Sequence, residues 1–140
     1  MKTFTAALAA LTLATTAPAL AADPASLTLT FDTGAATGAV MVALYDSEAG
    51  WSDGAPVRTA RIDVAAGQRT VTFDALPAGD YGMKAYHDVN GDGTMNSNPF
   101  GMPVEPYAFS NNAVGNMGPA RWGQARVTVT GAISQTIRIH

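Results

Sequence analysis

Along most of the chain, hydrophobic and polar residues alternate one for one. Leu27, Leu29 and Phe31 interleave with Thr28, Thr30 and Asp32, and Val40, Val42 and Leu44 with Met41, Ala43 and Tyr45. Ala60, Ile62 and Val64 alternate with Arg61 and Asp63, and Val71 and Phe73 with Thr70, Thr72 and Asp74. Tyr81, Met83, Ala85 and His87 share one phase, with Lys84 and Tyr86 on the other; Val127 and Val129 alternate with Thr128 and Thr130, and Ile133, Ile137 and Ile139 close the chain. Period 2 over four to eight residues is the signature of a strand with one face buried. The pattern predicts about seven strands and no helix of comparable length.

Turn residues separate these runs at Gly34 to Gly38, Gly50 to Pro56, Ala66-Gly67, Pro77 to Gly79, and Gly131. Short strands at this spacing predict an all-β fold, a single β-sandwich. In Leu76-Pro77-Ala78-Gly79-Asp80-Tyr81, a Tyr follows a Gly-containing corner at the start of a strand. That is the placement of the tyrosine corner of immunoglobulin-like sandwiches, and equally that of a tight turn followed by a core aromatic. Leu29, Phe31, Val42, Leu44, Ile62, Val71, Phe73, Tyr81, Val129 and Ile137 are expected to face a common core.

The first residues stand outside this pattern. Met1-Lys2 gives a positive start, Thr3 to Leu20 contains no acidic residue, and Ala19-Leu20-Ala21 has the small-x-small form of a cleavage site. Residues 1–21 therefore read as a secretory signal peptide and 22–140 as one domain beginning at Ala22. The expected location is exported, periplasmic or extracellular, with no membrane span in the mature chain. Export also fits the absence of cysteine only if core packing, hydrogen bonds or a hard ion stabilise the domain, since no disulfide framework and no thiolate metal site can form. Removing Lys2 leaves 7 basic against 11 acidic residues, a net charge of −4. With no basic footprint, nucleic acid is not an expected partner.

Residues 88–125 break the alternation. Phe100, Met102, Tyr107, Phe109, Met117 and Trp122 make the stretch too apolar for a solvated linker, so one long structured loop is expected to pack on the sandwich. Loops of this kind are where binding residues concentrate. It begins Asp88-Val89-Asn90-Gly91-Asp92-Gly93-Thr94-Met95-Asn96. Oxygen-bearing side chains at Asp88, Asn90, Asp92 and Asn96, a glycine at Gly93 for the sharp turn and a carbonyl at Thr94 match the front of a Ca²⁺ loop. The back does not match, because Pro99 stands where the bidentate acidic ligand belongs, although Asn98 or Glu105 could complete the shell. The alternative is a hydrogen-bonded Asx turn leaving a strand.

With those residues in view, the chain resembles DUF2141, a family of small exported bacterial proteins of unknown function. The resemblance is carried by Val42-Ala43-Leu44-Tyr45, Leu76 to Tyr81, His87 to Gly93, Phe100-Gly101-Met102-Pro103, Glu105 to Asn112 and Gly118-Pro119. It implies an exported β-sandwich, immunoglobulin-like or prealbumin-like, and no known activity.

The favoured function is a non-enzymatic binding or structural module of the cell envelope. Its ligand-binding candidates are His87, Glu105, Tyr107, Phe109, Asn111, Asn112 and Trp122. One alternative is a copper accessory protein using Met95, Met102, Met117 and His87, although methionine more often fills gaps under a loop. Another is a hydrolase with Ser110, His87 and Asp88 or Asp92, for which no nucleophile elbow is present.

Overall fold

The computed structural model describes residues 24–140. The signal peptide expected at 1–21 and the cleavage site at Ala22 lie outside the described residues. The chain runs β1 (Ala25–Thr33), β2 (Ala39–Tyr45), α1 (Glu48–Asp53), β3 (Arg58–Asp63), β4 (Thr70–Leu76), β5 (Gly79–Asp88), β6 (Tyr107–Phe109), α2 (Trp122–Ala125), β7 (Val127–Val129) and β8 (Ala132–Ile139). Two sheets form, one of order β4-β1-β8 and one of order β3-β2-β5-β6, with β7 also pairing β5. All pairings are antiparallel except β1 with β8, which run parallel from Ser26↔Ala132 to Thr33↔Ile139. The fold is an all-β sandwich.

The alternation sets which face of each sheet is buried. Leu27, Leu29 and Phe31 from β1 meet Val40, Val42 and Leu44 from β2, with Ile62, Phe73, Met83, Val129 and Ile137 in the same cluster. Nine of the ten expected core residues are buried, and Val71, on an edge strand, is half-buried against the same cluster. On the outer face of the small sheet, Thr28 pairs with Thr72 at 2.9 Å and Thr30 with Thr70 at 3.1 Å. These are the cross-strand hydroxyl pairs that antiparallel register favours. The Tyr81 hydroxyl donates to the Pro77 carbonyl at 2.7 Å, so the phenol clamps its own corner while its ring stays in the core.

Two parts of the expected pattern change. Gly50 to Pro56 is not only a turn: Glu48–Asp53 forms α1, because the Ser47 hydroxyl accepts from the Gly50 N–H at 3.2 Å and Gly54 ends the helix at φ 69. Its Trp51 is 5% exposed, a core residue in a segment that reads as polar punctuation. The described residues also hold eight strands rather than seven. The extra one, β6, is three residues long, too short to show a period, and is fixed by its pairing with Lys84, Ala85 and Tyr86.

Candidate functional site

Apart from the three-residue pairing of β6 with β5 and a bridge between Ser97 and Pro103, the 88–125 segment is ordered largely by side chains bonding to backbone. At the end of β5, Asp88 is 3% exposed and its carboxylate accepts three backbone N–H groups: Gly91 at 2.7 Å, Asp92 at 3.1 Å and Gly93 at 2.8 Å. Glu105 returns from the far side of the loop and accepts from the Val89 and Asn96 N–H groups, each at 3.1 Å. Between them Asp92 accepts from the Thr94 N–H and hydroxyl, both at 2.9 Å, and from the amides of Asn96 at 2.9 Å and Asn90 at 3.3 Å. The Asn90 amide also donates to the Asn96 side-chain oxygen at 3.0 Å. Gly91 and Gly93 take φ 75 and 80, which lets consecutive N–H groups turn toward Asp88. These bonds, the one from Asn96 first, hold the Asp92 carboxyl below the usual carboxylate range. Burial, then the charges of Asp88, Glu105 and Asp92, push the Tyr86 phenol up, and its hydroxyl donates to the Gly93 carbonyl at 3.2 Å.

The five residues expected around a cation are therefore neighbours, yet their carboxylates are engaged by protein donors. Among the described residues no group of three or more His, Cys, Asp or Glu side chains is placed to share a metal ion.

The second half of the segment is stitched to both sheets. Along one side of β5, β6 pairs with Lys84 to Tyr86 and β7 with Gly79 to Tyr81. In the gap between them the Ser110 hydroxyl accepts the Met83 N–H at 2.9 Å and donates to the Ala125 carbonyl, so the buried backbone group has a partner. Asn111 and Asn112 adopt φ 61 and 50, which asparagine tolerates better than most residues. The Asn111 amide donates to the carbonyls of Gln124 and Arg126 and accepts from Gln135 at 2.7 Å. Asn112 donates to the Thr136 carbonyl at 3.0 Å and accepts the Arg138 N–H at 2.8 Å, covering the open edge of β8.

The remaining candidates separate by depth. His87 is fully buried: its Nε2 lies 2.6 Å from the Thr37 carbonyl, which assigns the ring proton to Nε2 and leaves Nδ1 without a hydrogen-bond partner. Phe109 is buried beside Trp51 at a centroid distance of 5.9 Å, Trp122 is half-buried against the same indole at 5.9 Å, and Tyr107 is 40% exposed. Met117 is fully exposed, so the methionines and His87 do not converge on one point. Ser110, whose hydroxyl bonds to Met83 and Ala125, likewise has no bond to His87.

Sequence reasoning passed over a second cluster on the outer face of the larger sheet: Tyr45, Trp51, Phe109, Ala120 and Ala125, with Trp122 packed against it. Gly82 makes room for it. A Cβ there would come within 2.8 Å of Trp122 and 2.9 Å of Trp51. The available signals were the small residues Ala43 and Gly82 and the aromatic Tyr45 on the outward phase of β2 and β5; Phe109 and Trp122, singled out from the sequence as ligand-binding candidates, pack in this cluster.

The fold and the loop define a class: an all-β sandwich carrying a long, ordered loop stitched by side chains to both sheets. The family described as "Uncharacterized protein conserved in bacteria (DUF2141)" matches residues 32–137, and the chain belongs to it. No curated protein and no solved structure matches the chain.

Proposed function

We propose that this chain is an exported, non-catalytic module that binds a protein partner in the cell envelope through the 88–125 loop. One observation carries the reading. Of the eight large hydrophobic side chains exposed on the described residues, seven lie between 95 and 117: Met95, Phe100, Met102, Val104, Tyr107, Val114 and Met117. Contiguous exposed apolar surface marks an interaction site, whereas singly scattered residues do not, and the concentration of seven of them on one segment favours the first. The polar stitching keeps that surface in one conformation, which lowers the ordering cost of binding. Export rests on the composition of residues 1–21. No helix among the described residues is long and apolar enough to cross a membrane.

The test is Phe100→Ser combined with Met102→Ser, compared with wild type by native size separation of the exported fraction. The wild-type chain is expected to run in a complex and the double variant as a monomer, with an unchanged unfolding midpoint. Wild-type protein running as a free monomer would remove the reading.

A second reading is favoured by the way Asn90, Asp92 and Asn96 gather on one another. Turning the two amides by half a turn replaces their nitrogens with oxygens facing Asp92, a donor set suited to Ca²⁺ at the expense of hydrogen bonds. Millimolar Ca²⁺ should then raise the unfolding midpoint, Mg²⁺ should do less, and Asp92→Ala should abolish the response. Equal midpoints in Ca²⁺ and chelator leave the loop as a hydrogen-bonded turn.

A further inference from the structure

The outer face of the larger sheet carries an open cleft of about 290 Å³, lined by Glu48, Trp51, Ser52 and Lys84 and, from the end of the 88–125 segment, by Arg121 and Trp122. It holds both tryptophans of the chain. α1 supplies Glu48, Trp51 and Ser52, β5 supplies Lys84, and the start of α2 supplies Arg121 and Trp122. Gly82 lets the two indoles lie close on the sheet, with ring centroids 5.9 Å apart.

Lys84 is the unusual member. Its Nζ donates to the Trp51 carbonyl at 2.6 Å and stands 4.4 Å from the Trp51 ring centroid and 4.8 Å from that of Tyr45. Two aromatic faces and one carbonyl hold this ammonium, but no carboxylate neutralises it: among the described residues neither Lys84 nor Arg121 forms an ion pair. Burial pulls the Lys84 ammonium below the usual lysine value, as expected where a charge loses water without gaining a counter-ion. Glu48 and Ser52 add acceptors to the same cleft. A site for a bare inorganic anion would gain nothing from a glutamate, whereas a ligand rich in hydroxyls offers donors to it. Half-buried Trp122 adds an apolar face beside these polar groups.

We propose that this cleft binds an acidic saccharide, with its carboxylate between Lys84 and Arg121 and the C–H face of a sugar ring against Trp122. Arginine and lysine recognise the carboxylate by charge-assisted hydrogen bonds, the indole packs on the apolar ring face, and Glu48 and Ser52 accept from hydroxyls. The inference does not depend on the loop's protein partner and stands or falls separately from it.

Because both tryptophans line the cleft, intrinsic fluorescence reads it directly. Glucuronate, glucose and benzoate are titrated separately into the wild-type protein, Lys84→Met and Arg121→Gln, with unfolding midpoints measured in parallel. Glucuronate should give a saturable change in wild type, and glucose should bind at least about tenfold more weakly. Arg121→Gln, an exposed position, should keep the wild-type midpoint and weaken glucuronate by about tenfold. Lys84→Met should weaken it further, and if that variant loses its fold the Arg121 variant decides. No saturable change with glucuronate, equal binding of glucose, or benzoate binding as well as glucuronate would each overturn the proposal.

Discussion

The sandwich and the loop it carries are held together by different means. Between the sheets, side chains touch side chains: Leu27, Phe31, Leu44, Met83 and Ile137 are at most 2% exposed and contribute through area removed from water. In residues 88–125, side chains hold backbone: Asp88, Glu105, Ser110, Asn111 and Asn112 supply the partners that neighbouring strands supply elsewhere. The core thus hides its apolar residues, while the loop leaves Phe100 and Met117 in solvent at 89% and 104% exposure. Where polar groups fix the backbone, apolar side chains are freed from packing and stay in solvent.

The contrast can be broken from either side, and the largest effect is expected in the core. Phe73→Ala should destabilise the protein by about 3–5 kcal/mol, because it leaves a cavity among close-packed neighbours. Thr72→Ala on the outer face, losing one exposed hydroxyl pair with Thr28, should change stability by less than about 1 kcal/mol. Chemical unfolding of both variants checks the register, and equal losses would contradict it.

Removing a loop support should matter less than a core aromatic but more than any exposed side chain. Asp88→Ala strips three backbone N–H groups of their acceptor beside a buried position, and a loss of about 2–3 kcal/mol is expected. Ser110→Ala should cost about 1–3 kcal/mol, since the Met83 N–H is left unpaired in the interior. Urea midpoints for the two variants rank them. Values near zero would mean that the loop does not depend on these bonds.

A pH dependence gives the smallest signal. The Asp92 and Asp80 carboxyls both sit below their usual range, Asp92 chiefly through Asn96 and Asp80 chiefly through the Thr128 hydroxyl. A carboxyl whose folded value is depressed stabilises the fold above its unfolded value, about 4, and that contribution fades as pH falls through the lower folded value. Thermal stability should therefore fall below about pH 4, and Asp92→Asn should flatten part of that slope. A wild-type and variant slope that coincide would remove Asp92 from the account.

The core was legible because it obeys a period: Leu29, Val42 and Phe73 each sit where alternation places them. Trp51 was not, since α1 is a six-residue helix whose capping Ser47 and Gly54 look like any turn, and its buried face comes from contacts distant in sequence. In the loop, spacing brought Asp88, Asn90, Asp92 and Asn96 together as expected. What it left hidden was which atoms face the carboxylates, because N–H groups aimed by φ 75 at Gly91 and 80 at Gly93 depend on backbone conformation rather than on side-chain order. Asn111 and Asn112 read as surface recognition residues because their partners are distant in sequence: Gln124 and Arg126 lie 13 and 15 residues from Asn111, and Gln135, Thr136 and Arg138 lie 24 to 26 residues from the asparagine each one bonds.

Native-state amide exchange in wild type, Asp88→Ala and Glu105→Gln reads whether buried and half-buried polar side chains hold the loop as a fixed platform. In the wild type the Gly91, Gly93, Val89 and Asn96 amides should be protected. Asp88→Ala should release the Gly91 and Gly93 amides and Glu105→Gln should weaken protection at Val89 and Asn96, while β1 amides such as that of Leu29 stay protected in both. Wild-type loop amides exchanging as fast as an unstructured chain would contradict the account.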